Sequence, residues 1–340
     1  MSVSNIRADT CIIGGGGAGA YAALRLHQHN KTVVVVEQSS HLGGHAQIYQ
    51  GPASNNLPID YGLGFEGLPD PVPEELVAPF GSTMRKYRLE AAVDDLGRSG
   101  GTSIRARVAT ERQIAELYRA MAARSARTLL LFNSRVVRAM ERDPDDGRVV
   151  LDVVTSTTNT TTPTTLGKDF RRTNSRQRIR AKTVLIAVLP LPENLEPFLD
   201  PNGTEQALFA QFKYACLYSG VLQIEGLPPN VGYENRGVDD PFLLPHLPGI
   251  LVMRPTRAPN VYTVMYGSPR RLSEEAVKRE IREGLRSIHR KIGGNVSELE
   301  FLVLADHSPY GMRVSEKAIA GGFYQQLAAL QGRRRLYYTG

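Results

Sequence analysis

The chain has 340 residues and a net charge of +7, from 41 lysines and arginines against 34 aspartates and glutamates. This length allows two domains or one large α/β unit with an inserted region, and the two cysteines form neither a disulfide framework nor a metal-ligand spacing, so we expect no metal site. The N-terminus has no apolar signal segment and no stretch reaches membrane-spanning length, so we expect a cytoplasmic protein without membrane contact.

The first predicted elements form a βαβ unit. Residues 9–14 and 32–37 are short β-branched runs, and the apolar residues between them recur at helical spacing. Strand, glycine-rich turn, helix and strand in this order are typical of one parallel βαβ unit. Residues 45–100 contain many prolines and glycines and predict irregular chain with short helices, whereas 109–126 predicts an amphipathic helix.

The rest of the chain alternates predicted strands with a mixed middle region. A stretch rich in threonine, asparagine and arginine at 155–180 predicts the tip of a loose hairpin. Doubly wound patterns at both ends and a mixed middle indicate a nucleotide-binding domain that is split by inserted segments. The predicted strands are 128–143, 148–155, 182–190, 219–225, 249–255, 261–267, 300–308 and 335–340, and the predicted helices are 204–216, 273–292 and 322–332.

A glycine-rich turn joins the first strand to the first helix. Gly14, Gly16 and Gly19 fit the pattern G-x-G-x-x-G. In this pattern the first glycine allows a tight turn, the second lets a pyrophosphate approach the backbone, and the third lets helix and strand pack closely. Phosphate oxygens bind the free N–H groups of such a helix N-terminus, so we also expect Gly17 and Ala18 at the cofactor.

The residues after the second strand favour FAD over a nicotinamide cofactor. Glu37 ends the strand where a carboxylate can accept hydrogen bonds from an adenosine ribose, and Gln38 follows it. An acidic residue, a short spacer and Leu-Gly-Gly-basic then resemble the pattern of flavoproteins related to monoamine oxidase. That resemblance implies that Gly43, Gly44 and His45 lie along the phosphate and ribityl groups of FAD. His45 replaces the usual arginine, so a polar contact and a covalent histidyl–flavin link both stay open.

Four longer blocks resemble the fungal FAD-dependent oxidoreductases of secondary metabolism, the group that includes beta-cyclopiazonate dehydrogenase. The resemblance implies oxidation of a small-molecule substrate by hydride removal, often at a carbon beside nitrogen and sometimes with ring closure. It also implies that the backbone of Val136 lies at the adenine. The four blocks are residues 69–92, 187–198, 266–281 and 322–340.

The patterns and the resemblance together predict an α/β fold, with a Rossmann-like FAD-binding domain and an inserted mixed α+β substrate domain. The predicted FAD-binding domain is discontinuous and contains 1–66, 127–190 and 301–340. The predicted substrate domain contains 67–126 and 191–300. For catalysis we single out His307 and Tyr310 in the segment beside the strand that re-enters the FAD-binding domain, although a structural role is the alternative for both.

Two departures from the family pattern leave a second function open. The sequence stops at Gly340, before the segment that in this family gives backbone donors to the flavin ring, and 97–110 lacks a longer apolar segment. The alternative is therefore a non-redox isomerase or cyclase, or an inactive homologue that has lost full FAD binding. Basic clusters at 168–182, 269–271 and 331–336 lack the aromatic platform of a nucleic-acid site, and we expect no nucleic-acid partner.

Overall fold

The structure is a computed structural model that describes seven ranges of the chain. The helix expected at 109–126 and most of the irregular chain expected at 45–100 lie outside them. Within the described ranges, no helix combines the length and the apolar character needed to cross a bilayer. The described ranges are 4–62, 127–143, 146–160, 170–227, 231–236, 245–292 and 298–339.

The described residues form fifteen strands and six α-helices. Two short 3-10 turns occur as well, at Pro52–Ser54 and Arg333–Arg335. The first elements in chain order are β1 (Ser4–Ile13), α1 (Gly17–Gln28), β2 (Val33–Val36), β3 (Ile48–Tyr49), β4 (Ile59–Asp60), β5 (Thr128–Leu131), β6 (Ser134–Arg142), β7 (Val149–Thr160) and β8 (Phe170–Ile186). The remaining elements are α2 (Pro192–Leu195), α3 (Gly203–Phe209), β9 (Lys213–Gln223), β10 (Tyr233–Glu234), β11 (Gly249–Pro255), β12 (Val261–Ser268), α4 (Glu274–Ile292), β13 (Glu300–Asp306), β14 (Tyr310–Arg313), α5 (Glu316–Ala320), α6 (Phe323–Ala328) and β15 (Leu336–Tyr338).

The chain divides into two compact units. Unit 1 consists of Met1–Gly44, Tyr118–Lys213 and Met312–Gly340. Unit 2 consists of His45–Leu117 and Tyr214–Gly311.

Unit 1 is built on a seven-stranded sheet with the order β5-β2-β1-β8-β7-β6, and β15 pairs with the C-terminal end of β8. Strands β5, β2, β1, β8 and β15 pair in parallel, whereas β6 and β7 extend the sheet with antiparallel pairs. All four valines of β2 are buried. Such an uninterrupted β-branched run is typical of a parallel strand that is covered on both faces.

Helix α3 anchors β15 to unit 1 through a buried carboxylate. Glu205 forms a capping box with Asn202, whose backbone N–H donates to Glu205 Oε2 over 2.9 Å. The hydroxyl of Tyr338 donates to Glu205 Oε1 over 3.0 Å, and Arg334 Nη1 donates to Oε2 over 2.8 Å. Both oxygens of this buried carboxylate are therefore engaged, as a buried charge requires.

Unit 2 is built on a six-stranded sheet with the order β10-β11-β12-β9-β13, in which β14 also pairs with β9. Helix α4 packs on this sheet through Val277, Ile281 and Leu285, which recur every fourth residue and are all buried in one core cluster. The short pair β3–β4 contributes Ile59 to a second cluster that includes Val221 of β9.

Two predicted elements are wrong in extent. The stretch 155–180 is largely paired strand, because β7 and β8 keep one antiparallel register up to the pair Thr160–Phe170. The helix expected at 204–216 ends at Phe209, because β9 begins at Lys213 and must pair with two neighbours to form the centre of the second sheet.

The two units also differ from the predicted domain boundaries at three places. Strand β13 pairs with β9 of unit 2, although 301–340 was predicted to belong with the glycine-rich turn. Helices α2 and α3 pack in the core of unit 1 through residues such as Leu195 and Phe209. The segment that starts at His45 belongs to unit 2. Strand pairing and burial, which local patterns do not reveal, determine these three assignments.

Candidate functional site

The glycine-rich turn of unit 1 begins with a residue that must be glycine. Gly14 has φ +102°, and a Cβ atom there would lie 2.8 Å from Val188 Cγ1 and 2.9 Å from the Ala187 carbonyl oxygen. Its N–H donates to the carbonyl oxygen of Val36 over 2.9 Å, which fixes the turn at the ends of β1 and β2. The turn therefore lies at the carboxyl ends of parallel strands, where α/β sheets bind ligands.

The third glycine of the pattern brings α1 against this turn. A Cβ atom on Gly19 would lie 2.0 Å from the carbonyl oxygen of Gly14. Helix α1 starts at Gly17, its N-cap Gly16 provides no side-chain hydrogen bond, and its first turn contains no acidic residue. The N–H groups of the first turn, which include that of Ala18, therefore point to a site that suits an anion.

A second backbone segment crosses the turn at van der Waals distance. Gly16 and Gly43 form an isolated parallel bridge, in which the N–H of Gly43 donates to the Gly15 carbonyl oxygen over 3.0 Å. Gly44 has φ +58°, and a Cβ atom there would lie 3.1 Å from Gly16 Cα. The space beside Gly16 is open, because a Cβ atom on it would have Gly44 Cα at 4.0 Å as its nearest neighbour. We name this arrangement of Gly16, Gly43 and Gly44 the glycine cradle.

Glu37 connects the end of β2 to the same turn. Its Oε2 accepts a hydrogen bond from the N–H of Gly15 over 2.7 Å, and its Oε1 accepts one from the N–H of Ser39 over 2.7 Å. The residue is only 7% exposed, so these short charge-assisted bonds hold the carboxylate in place. Gln38, which lies between Glu37 and Ser39 in the chain, is exposed.

The start of β6 lies beside Glu37. The N–H of Ser134 donates to the Glu37 carbonyl oxygen, and the N–H of Asn133 donates to that of Ser39, both over 2.9 Å. Val136 follows two residues later with a buried side chain, so only its backbone is suited to contact a ligand at this edge. The structure thus places β6, which carries the adenine-binding candidate Val136, beside the end of β2, which is followed by the ribose-binding candidate Glu37.

These residues fit the adenosine pyrophosphate part of FAD. The cradle has space that a side chain would fill, the helix N-terminus suits the pyrophosphate, and a fixed carboxylate suits the ribose hydroxyls. The described ranges contain no group of three or more His, Cys, Asp or Glu side chains that could hold a metal ion.

Two histidines of unit 2 pack against each other. The ring centroids of His45 and His307 are 5.1 Å apart at an interplanar angle of 85°. His307 is 0% exposed, and neither its Nδ1 nor its Nε2 has a hydrogen-bond partner among the residues that the structure describes. Burial and then the His45 imidazole lower the pKa of His307 to about 4, against a smaller opposing effect of Asp306. Burial also lowers the pKa of His45, so both rings are neutral at pH 7.

Both histidines are predicted site residues, but nothing in the sequence joins them. His45 was assigned to the cofactor and His307 to catalysis, and only the folded backbone places their rings in contact. Tyr310, the other candidate, is 42% exposed at the start of β14. Its role remains a prediction.

The parallel βαβ unit and its glycine-rich turn define a Rossmann-like fold, and comparisons with known proteins agree. Residues 12–67 match the NAD(P)-binding Rossmann-like domain. FAD-dependent oxidoreductase dbaF of Emericella nidulans is 27% identical, with 98% of this chain and 87% of that protein covered. Beta-cyclopiazonate dehydrogenase of Aspergillus oryzae is 24% identical, with 98% of this chain and 88% of that protein covered. These fungal proteins are homologues of the chain, which confirms the predicted resemblance.

Solved structures share the fold at low sequence identity. The CLA-producing fatty acid isomerase from P. acnes matches with a TM-score of 0.64 and 14% identity, covering 98% of this chain and 93% of that one. A putrescine oxidase variant matches with a TM-score of 0.55 and 11% identity, covering 99% of this chain and 94% of that one. The predicted α/β fold class with a Rossmann-like domain is confirmed.

Proposed function

We propose that this FAD-dependent oxidoreductase removes a hydride from a carbon beside nitrogen in a small secondary metabolite, and that ring closure can accompany the oxidation. The coarse part, an enzyme that uses FAD, is supported by homologues that are named FAD-dependent oxidoreductases along 98% of this chain. The finer part is supported by the name of one homologue, a dehydrogenase of beta-cyclopiazonate, and by the likeness to the fold of putrescine oxidase.

The glycine cradle is the observation that carries the cofactor part of this proposal. A second backbone segment lies within van der Waals distance of Gly16 while the space beside Gly16 itself stays open. A turn that served only to reverse the chain would not need a further pair of glycines, Gly43 and Gly44, that contact it. The close approach of two backbone segments at a helix N-terminus suits a ligand with two phosphates.

The chain's own residues would bind and orient the cofactor, which supplies the hydride acceptor. Backbone N–H groups of Gly17 and Ala18 would hold the pyrophosphate, and the Glu37 carboxylate would accept hydrogen bonds from the ribose hydroxyls. The backbone of Val136 would lie at the adenine, with the exposed Gln38 beside the ribose. These contacts give affinity and position, while the reactive chemistry belongs to the cofactor.

A substitution at Gly16 tests the cradle without disturbing the fold. Gly16 has φ −66° and ψ −173°, which an alanine adopts freely. Its added Cβ atom would meet no atom of the described residues closer than 4.0 Å. The methyl group would occupy the space that the pyrophosphate needs. Gly203→Ala is the matched control, because a Cβ atom there has no heavy atom of the described ranges within 4 Å and the residue is not at the site.

The experiment is an absorption spectrum of each purified protein before and after acid precipitation, followed by titration with FAD. We expect wild type and Gly203→Ala to bind FAD, and Gly16→Ala to bind it about tenfold to a hundredfold more weakly at unchanged thermal stability. This range corresponds to one charge-assisted hydrogen bond of about 1.5–3 kcal/mol. Colour in the acid pellet would indicate a covalent link and direct attention to His45.

Substrate class is tested with FAD-loaded protein under anaerobic conditions. Tetrahydroisoquinoline and its oxygen counterpart isochroman differ only in the heteroatom beside the oxidised carbon. We expect bleaching of the flavin absorption with the amine alone. Bleaching by the ether alone would contradict oxidation beside nitrogen. A wild-type protein that cannot bind FAD would instead favour the alternative, a non-redox isomerase or cyclase or an inactive homologue.

A further inference from the structure

His307 of unit 2 carries hydrogen-bonding capacity that the described residues do not use. A neutral imidazole has one N–H donor and one acceptor nitrogen. Within the described part of the chain, neither nitrogen of His307 is satisfied, although the residue is 0% exposed. Buried polar side chains in native proteins nearly always have a partner, so an exception needs a physical explanation. The other ring of the pair, that of His45, is only half-buried and meets His307 edge to face.

The neighbouring carboxylate of Asp306 does not supply the missing partner. Asp306 Oδ2 accepts hydrogen bonds from Arg271, with Nε at 2.9 Å and Nη2 at 2.8 Å. Its Oδ1 accepts the N–H of Ser308 over 2.8 Å. The carboxylate of Asp306, the residue before His307, therefore binds Arg271 and Ser308.

The charge state of the pair restricts what can bind there. Burial keeps the pKa of His307 at about 4, and the pKa of His45 is lowered as well, so neither ring carries a charge at pH 7. A charged ligand group would have to lose its water without meeting an opposite charge. A base of such low pKa is also a poor proton acceptor, because general bases work best with a pKa near the operating pH.

We infer that His307, with His45 beside it, binds an uncharged polar group that has both an acceptor and a donor, as an amide or imide does. Two ligands could present this chemistry. One is the imide edge of the flavin ring of FAD, an option that rests on the proposed function, and the other is an amide-bearing small molecule. His45 directly follows Gly44 of the glycine cradle in the chain.

The variant that tests the inference is His307→Leu, which replaces the donor and the acceptor with a side chain of similar volume. Removal of two unsatisfied polar atoms should leave the thermal midpoint equal to or above that of wild type. His307→Gln keeps one donor and one acceptor and serves as the second variant. His29→Leu is the matched control, because His29 is an exposed histidine at the end of α1.

The first arm compares the affinity of apoprotein for FAD with its affinity for ADP, which lacks the flavin ring. If the pair binds the flavin ring, His307→Leu should weaken FAD binding about threefold to tenfold, as expected for loss of a neutral hydrogen bond, and leave ADP binding unchanged. His307→Gln should lie between wild type and His307→Leu.

The second arm follows the imidazole ring signals of the full-length protein by NMR during additions of acetamide, acetate or methylammonium. If the pair binds a small molecule, acetamide should shift the signals that disappear in His307→Leu, and the two ions should not. The inference is overturned if His307→Leu binds FAD like wild type and acetamide moves these signals no more than acetate does. Failure of the proposed function is recognised separately, because wild type would then bind no FAD while the acetamide arm can still succeed.

Discussion

The substitution Glu37→Gln replaces a buried carboxylate with an amide of almost the same shape. Two backbone N–H groups converge on this carboxylate, that of Gly15 at 2.7 Å from Oε2 and that of Ser39 at 2.7 Å from Oε1. An amide has one acceptor oxygen and one NH2 group, so in either orientation it must turn a donor toward one of the two N–H groups. The variant therefore leaves one buried donor without an acceptor and cannot relieve this by rotation.

The expected loss of stability follows from that one unsatisfied donor. Leaving a buried donor without a partner costs about 1–3 kcal/mol, and the bond that is lost is to a charged acceptor. For a unit of this size, each 1 kcal/mol lowers the thermal midpoint by about 2–4 °C, so we expect a fall of about 2–12 °C. Affinity for FAD should fall at least about tenfold, because a neutral amide is a weaker acceptor for ribose hydroxyls.

Thermal unfolding and FAD titration of the purified variant measure the two effects. Glu196→Gln is the control, because it makes the same chemical change at an exposed glutamate at the end of α2, away from the turn. An unchanged thermal midpoint in Glu37→Gln, equal to that of the control, would refute the proposed role of the carboxylate in fixing the turn. A lower midpoint with unchanged FAD affinity would refute only its role at the ribose.

Three further predictions follow from single residues. Gly19→Ala should lower the free energy of unfolding by about 3 kcal/mol in denaturant titration, because its Cβ atom would lie 2.0 Å from the Gly14 carbonyl oxygen and helix and strand must separate. The free energy of unfolding should fall as the pH drops from about 6.5 toward 4, because the pKa of His307 is about 4 in the folded protein and the unfolded chain binds the proton first. Thermal unfolding at several pH values measures this effect, and His307→Leu should remove part of the pH dependence. Cys11 is fully buried and burial raises the pKa of its thiol to about 12, so iodoacetamide should alkylate it only in denaturant, as mass spectrometry of the digest would show.

The sequence by itself predicted the βαβ unit and the residues of its turn. Gly14, Gly16 and Gly19 lie within six consecutive positions, and Glu37 closes the strand that follows. The structure places these residues together at the end of β1 and β2. Local patterns suffice here because neighbouring elements in the chain are also neighbours in space.

The long hairpin shows where local patterns fail. Residues 155–180 have the composition of a loop, yet β7 and β8 pair as far as Thr160 and Phe170. Threonine favours extended backbone, and cross-strand hydrogen bonds satisfy the polar main chain of both strands. The stabilisation of each strand comes from pairing with its partner strand, and the composition of one segment does not reveal that pairing.

The paired histidines and the division into units were decided by the tertiary structure alone. His45 lies near one end of the chain and His307 near the other, and no spacing rule connects them. Strand β13 belongs to the second sheet because it pairs with β9, and that pairing places His307 directly after the strand end. The conformation of a motif of neighbouring residues is determined by backbone sterics, which can be inferred from the residue types in the sequence. A buried contact between distant residues depends on which strands pair, and that choice is settled by the whole core.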